Sequence, residues 1–410
     1  MTLVFPDPYS LPLDKIDPSK AGLFLHQEHW AYFERLRNED PVHYVDSEEF
    51  GPYWSITKFK DIMYVDSHHE IFSSEPRIVL GESTIDFDPP MFIAMDQPKH
   101  DDQRAVVTPA VAPKRLAELE GVIRGRVQTV LDNLPVGESF NWVDKVSIEL
   151  TTQMLATLFD FPFEERHLLT YWSDVSTESP DPEISGRTEE QRKEILEECQ
   201  RRFGEIWLER AKQPPKMDLI SLMAHGSATA NMDPVEMLGN LILLIVGGND
   251  TTRNSMSASV YALHKFPEQY DKLRADQSLI PNMISETIRW QTPLGHMRRI
   301  AMEDTELGGK QIKKGDKVVM WYVSGNRDEE VIENANDFII DRKRARHHVS
   351  FGFGIHRCMG NRLAEMQLRI LWEEIMLRFS NVEVLEEPQR VPSSFVMGYT
   401  HLPVKLHPLV

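Results

Sequence analysis

Two cysteines in 410 residues, Cys199 and Cys358, are too few for a disulfide framework, which points to a reducing compartment. Positive charge is also scarce: 45 Lys and Arg stand against 64 Asp and Glu, a net −19. A chain so acidic lacks the cationic face that phosphate backbones demand, so nucleic acid is excluded as a general partner. No run approaches 18 uninterrupted apolar residues, which excludes a membrane-spanning helix and, with it, stable membrane insertion. The opening MTLVFPDPYSLPLDKIDPSK has neither the basic start nor the apolar stretch of a secretory signal. The expected location is the cytoplasm. Repeats, low-complexity tracts and flexible linkers are missing too, and one domain over 1–410 is the simplest reading.

What is present is mostly helix. A helical stretch over 26–38 is followed by the strand-like segments PVHYVD and GPYWSIT. From 98 to 290 the pattern is almost wholly helical, broken by turn-rich loops. Within it, Asp233 can cap a helix that has Pro234 in its first turn and stops at Phe266-Pro267. That helix would run about 48 Å at 1.5 Å per residue, and its middle, LGNLILLIVGG, predicts burial on every side. Alternating segments over 295–325 predict strands, and a last long helix is expected over 361–379. The fold class is therefore mainly α with a minor β-rich part, over 40–75, 295–325 and C-terminal strands.

Four groups of residues could carry chemistry. Cys358 sits in Phe351-Gly352-Phe353-Gly354-Ile355-His356-Arg357-Cys358-Met359-Gly360, just before the final helix. A lone cysteine cannot build a four-ligand zinc site, but one thiolate can be the axial ligand of a heme iron, and a helix N-terminus favours thiolate over thiol. On its own the segment also reads as a structural thiol in a glycine-rich turn, and Cys199, in EILEECQRRF, is read that way. Gly247-Gly248-Asn249-Asp250-Thr251-Thr252 interrupts the central helix with residues that cost it stability, as a helix bent around a ligand would tolerate. Glu286 and Arg289 share a helix face and can pair, and His100 and Arg104, four apart, can clamp a carboxylate. Either pair alone could equally be a solvated face.

Together these residues resemble a known family. Phe351, Gly354, His356, Cys358 and Gly360 match the heme-binding loop of the cytochromes P-450, and the other three groups follow in that family's order. The resemblance implies a heme-thiolate monooxygenase with a long central helix over heme b and a cysteine loop beneath it, Cys358 holding the iron and Phe351 beside it. By the same resemblance His100, Arg104, Arg299 and His356 bind the propionates, with Arg298 beside Arg299 leaving that register open by one residue. Gly247 and Gly248 make room for oxygen and substrate, while Asp250 and Thr251 deliver protons. Glu286, Arg289 and Arg342 form a structural network near the heme.

The implied reaction inserts one atom of dioxygen into a C–H bond. The chain has no dinucleotide fingerprint after a strand, so electrons must come from separate proteins; the resemblance implies that they pass from NAD(P)H through a ferredoxin reductase and an iron–sulfur ferredoxin. The basic run ending at Arg346 offers Lys343, Arg344 and Arg346 as the docking site. Pocket positions implied by the resemblance are apolar (Ile78, Leu80, Met91, Phe92, Leu243, Leu244, Gly247, Leu294, Met297, Phe395 and Val396), which predicts an apolar small-molecule substrate. The phrases FGPYWSIT, AMDQPKHDDQR, VGGNDTTRNSM and ELGGKQIKKGDKVVMWYVSGNRD resemble the bacterial subfamily that hydroxylates the terminal carbon of alkanes and fatty acids. A terpene or steroid is the alternative substrate. A peroxide-using peroxygenase is the alternative class, disfavoured because it does not need Asp250 and Thr251; a heme sensor or electron carrier would not need the polar notch.

Overall fold

The computed structural model describes residues 5–82, 87–178 and 182–409. Its organising element is the helix Pro234–Lys265, 32 residues long. Asp233 caps it by accepting the Val235 N–H at 2.8 Å, and the Phe266 N–H closes its last turn on the Ala262 carbonyl. From Met237 to Leu263 most of its residues are buried. Helices His167–Thr177, Glu149–Phe159, Glu189–Arg210, Ile280–Gln291 and Asn361–Met376 pack around it, forming the largest apolar core. Cys199 is fully buried there, and burial pushes its thiol up, out of the reactive range.

The Gly247-Gly248 pair does not break this helix, which runs on from Pro234 to Lys265, and the Thr251 hydroxyl donates to the Gly247 carbonyl at 3.0 Å.

Beside the helical mass lies a five-stranded sheet, in the order Val42–Ser47, Gly51–Ile56, Lys317–Met320, Met297–Ala301, Phe72–Ser73. Strand Met297–Ala301 runs antiparallel to Lys317–Met320 with Arg299 opposite Val318. A three-stranded sheet joins Ser139–Asn141, Pro403–Pro408 and Phe379–Val384. Three boundaries differ from the sequence reading. Ser139–Asn141 is a strand inside the stretch expected to be helical, recruited by the distant C-terminal segment. The first long helix is His29–Glu39, and the last ends at Met376 because Phe379 starts a strand. Among the described residues no helix is long and apolar enough to cross a membrane.

Candidate active site

Cys358 sits at the base of a cavity of about 560 Å³, between its own loop and the central helix. The loop closes when the Cys358 N–H donates to the Phe351 carbonyl at 2.8 Å. Gly354 makes the tight turn at φ 65°, where a Cβ would also collide with the Asp66 carbonyl. Burial raises the Cys358 thiol, but the Gly360 and Asn361 N–H groups at the start of helix Asn361–Met376, with Arg104 and Arg357, pull it back toward thiolate. Phe351 lies on the same wall.

Above the sulfur the central helix contributes Leu243, Leu244, Gly247, Gly248 and Thr251. A side chain at Gly247 would enter open space, whereas one at Gly248 would strike Leu155, so the two glycines serve different needs. Ile78, Leu80, Met91 and Phe92 line the cavity from one side, and Leu294, Met297 and Phe395 from another. Val396 does not. It is buried, bridged through its backbone to Leu294, and lies off the wall that Phe395 joins.

The period of two along strand Met297–Ala301 settles which arginine reaches the cavity. Met297 and Arg299 face it, while Arg298 points to the opposite side and pairs with Glu82 at 2.6 Å. The Arg299 guanidinium donates to Asp66 at 2.8 Å. Asp66 also accepts from the Tyr322 hydroxyl at 2.9 Å and the Phe353 N–H at 2.7 Å, so one buried carboxylate ties this strand to the cysteine loop. Asp66 carries no local motif. Only the convergence of segments hundreds of residues apart reveals it.

Arg104 and His356 also line the cavity; His100 is not on the wall but meets His356 edge to face at 4.2 Å. His100 spends Nδ1 on Asp101 at 2.7 Å; its Nε2 and both ring nitrogens of His356 are buried without a partner among the described residues. Burial, then Arg299, His100 and Arg104, hold His356 neutral with a pKa of about 2. Two guanidinium groups and two imidazoles with orphaned nitrogens fit a bound anion.

Asp250 is not beside Thr251 on the cavity. It is fully buried and turned the other way, accepting from the Ser173 hydroxyl at 2.8 Å and pairing with Arg253. Arg253 also holds the half-exposed Asp174 at 2.7 Å, so the cluster reaches from the far side of the central helix to solvent. Consecutive residues on a helix are about 100° apart, which is why only Thr251 faces the cavity.

Glu286 and Arg289 are both fully buried and doubly bonded, at 2.7 and 2.8 Å. The Arg342 Nε donates to Glu286 at 3.0 Å and the Ile339 N–H at 2.9 Å. Burial pushes the Glu286 carboxyl up, yet the hydrogen bonds and charge of Arg289, with Ile339 and Arg342, win and hold it below the usual range.

With this geometry in place, the family model for cytochrome P-450 matches residues 136–406. The chain belongs to the cytochrome P-450 family. It is 36% identical to linalool 8-monooxygenase of Pseudomonas putida over 97% of this chain and 100% of that protein. It is 29% identical to a methyl-branched lipid omega-hydroxylase of Mycobacterium bovis, over 91% and 90%. A solved cytochrome P-450 of family 153 from Novosphingobium aromaticivorans superposes with a TM-score of 0.89 at 48% identity, over 95% and 99% of the two chains. The chain is thus a monooxygenase of the P-450 fold. The family uses heme b and electrons from NAD(P)H through redox partners. The residues present fit that group: Cys358 would meet its iron, and the orphaned nitrogens of His100 and His356, with Arg104 and Arg299, would meet its propionates.

Proposed function

We propose that this P-450 hydroxylates the terminal carbon of medium-chain alkanes or fatty acids. The observation that carries the reading is the open space at Gly247, beside Leu243 and Leu244 and facing Cys358, which admits a slim chain end. The lipid omega-hydroxylase among its relatives supports it. When bound, heme supplies dioxygen activation and oxygen-atom transfer; the protein positions the chain, excludes water and delivers protons. Thr251 faces the cavity for that delivery, and the Asp174–Arg253–Asp250 cluster offers a route from solvent behind it.

Adding n-dodecane or dodecanoate to the purified enzyme should shift the Soret band from low to high spin, and turnover should yield the terminal alcohol. Oxidation confined to internal carbons would overturn the reading. The relative that acts on linalool supports a second one, a branched terpene alcohol, and linalool turnover in the absence of chain turnover would favour it. The peroxide-driven alternative finds no support among these relatives.

We also propose an acidic ferredoxin as the electron donor, meeting Lys343, Arg344 and Arg346, which are all exposed just ahead of the cysteine loop. Reversing Lys343 and Arg344 to Glu should raise the ferredoxin concentration for half-maximal reduction roughly tenfold. Its salt dependence should flatten as well. An unchanged requirement with an unchanged salt slope would refute this surface.

A further inference from the structure

The cavity wall is not uniformly apolar. Where the helix Glu189–Arg210 begins, Arg192 and Lys193 reach it, together with Glu178 and Phe87. Most charges on the wall are matched within the protein. Arg192 donates to the Val175 carbonyl at 3.2 Å and lies 3.6 Å from Glu178, whose other oxygen is held by Arg187 at 2.7 Å. Arg77 pairs with Asp88 at 2.6 Å, and Arg299 with Asp66. Arg104 belongs to the anion frame beside Cys358. Lys193 differs. Its ammonium lies 5.5 Å from the centre of the Phe87 ring and, among the described residues, meets no carboxylate or carbonyl oxygen. A half-buried lysine whose ammonium lies over an aromatic face, with no counter-ion among the described residues, is an incomplete ion pair.

Its place in the fold says what would complete it. Lys193 is three residues before Leu196, on the same helix face and on the same wall. Beyond Leu196 that face runs into the core through Cys199 and Phe203. Lys193 therefore marks the outer end of an apolar path that continues past Leu196 and Leu243 to Gly247, opposite Cys358. We infer that Lys193 anchors the carboxylate of an unbranched fatty acid, so that the far end of the chain reaches the reacting centre. The inference rests on the chain-hydroxylase reading and chooses within it, favouring the acid over the hydrocarbon. It also supplies a physical reason for terminal oxidation: a chain tethered by its head can present only its tail.

Soret titrations of dodecanoate and of 1-dodecanol, which has the same chain without the charge, test this in the wild type, Lys193→Gln, Lys193→Glu and Lys193→Arg. Lys193→Gln should weaken dodecanoate roughly three- to tenfold, as expected for a partly screened ion pair. Lys193→Glu should weaken it more, by like-charge repulsion, and Lys193→Arg should keep wild-type affinity. 1-Dodecanol should bind all four proteins alike. Terminal product from dodecanoate should give way to internal alcohols in the Gln and Glu variants. Unchanged dodecanoate affinity in those two variants, or an equal loss for the alcohol, would overturn the anchor while leaving chain hydroxylation standing. Absence of any spectral response of the wild type to either compound would refute chain hydroxylation, and the anchor with it.

Discussion

Glu286→Ala is expected to destabilise the fold by about 3–5 kcal/mol, the cost of breaking a buried ion pair from one side. The substitution leaves the guanidinium of Arg289, fully buried, with only carbonyl partners among the described residues, at Asn326, Ala335 and Asp337. The Nε of Arg342 and the Ile339 N–H lose their acceptor at the same time. The damage should extend to the heme site. Arg289 fixes the Asn326 carbonyl, and the Asn326 side chain accepts the Val349 N–H and donates to the Ser350 hydroxyl, each at 2.8 Å. Those two residues lead directly into Phe351 and the cysteine loop. Urea unfolding followed by tryptophan fluorescence measures the loss, and a change under about 1 kcal/mol would contradict a buried, coupled network. The pH dependence has a definite sign. Because the Glu286 carboxyl is held below its ordinary value, its stabilisation is present above the unfolded pKa, near 4.3, and is lost as pH falls through the folded one. Wild type should therefore lose part of its margin over the variant in strong acid.

Thr251→Ala should cut product formation roughly tenfold or more while NAD(P)H consumption continues and hydrogen peroxide accumulates. The hydroxyl faces the cavity and already donates its proton to the Gly247 carbonyl, so its lone pairs remain free to hold a proton donor beside Gly247. Alanine keeps the helix, since its propensity is higher, and removes only that group. Reduced oxygen would then be released before a proton reaches it in the productive geometry. Asp250 is the group behind: burial raises its carboxyl against the pull of Arg253, which also pairs with the exposed Asp174. Assays of NAD(P)H, product and peroxide together decide the matter, and full coupling in the alanine variant would remove Thr251 from proton delivery.

Much of this protein could be read locally. The helix Pro234–Lys265 was legible from its proline start, its aspartate cap and its apolar centre, because those signals act within a few residues of each other. The cysteine segment, Glu286 with Arg289, and His100 near Arg104 were legible for a related reason: each is a short pattern whose members share one loop or one helix face. Wherever a side chain's direction depended on a distant partner, the sequence was silent. The choice between Arg298 and Arg299 waited on the pairing of Met297–Ala301 with Lys317–Met320. That Asp250, turned from the cavity by its helical position, meets Ser173 of another helix, and that Val396 stays off the wall that Phe395 joins, were not written in any local pattern. Asp66 and Lys193 had no pattern at all. One gains its meaning from Arg299, Tyr322 and Phe353 converging on it, the other from a cavity that exists only once the helices are packed. Local hydrogen bonding and hydrophobic periodicity thus determined the elements and the reactive motifs, whereas long-range packing decided which side chains face the substrate, because that direction is set by contacts between segments far apart in the chain.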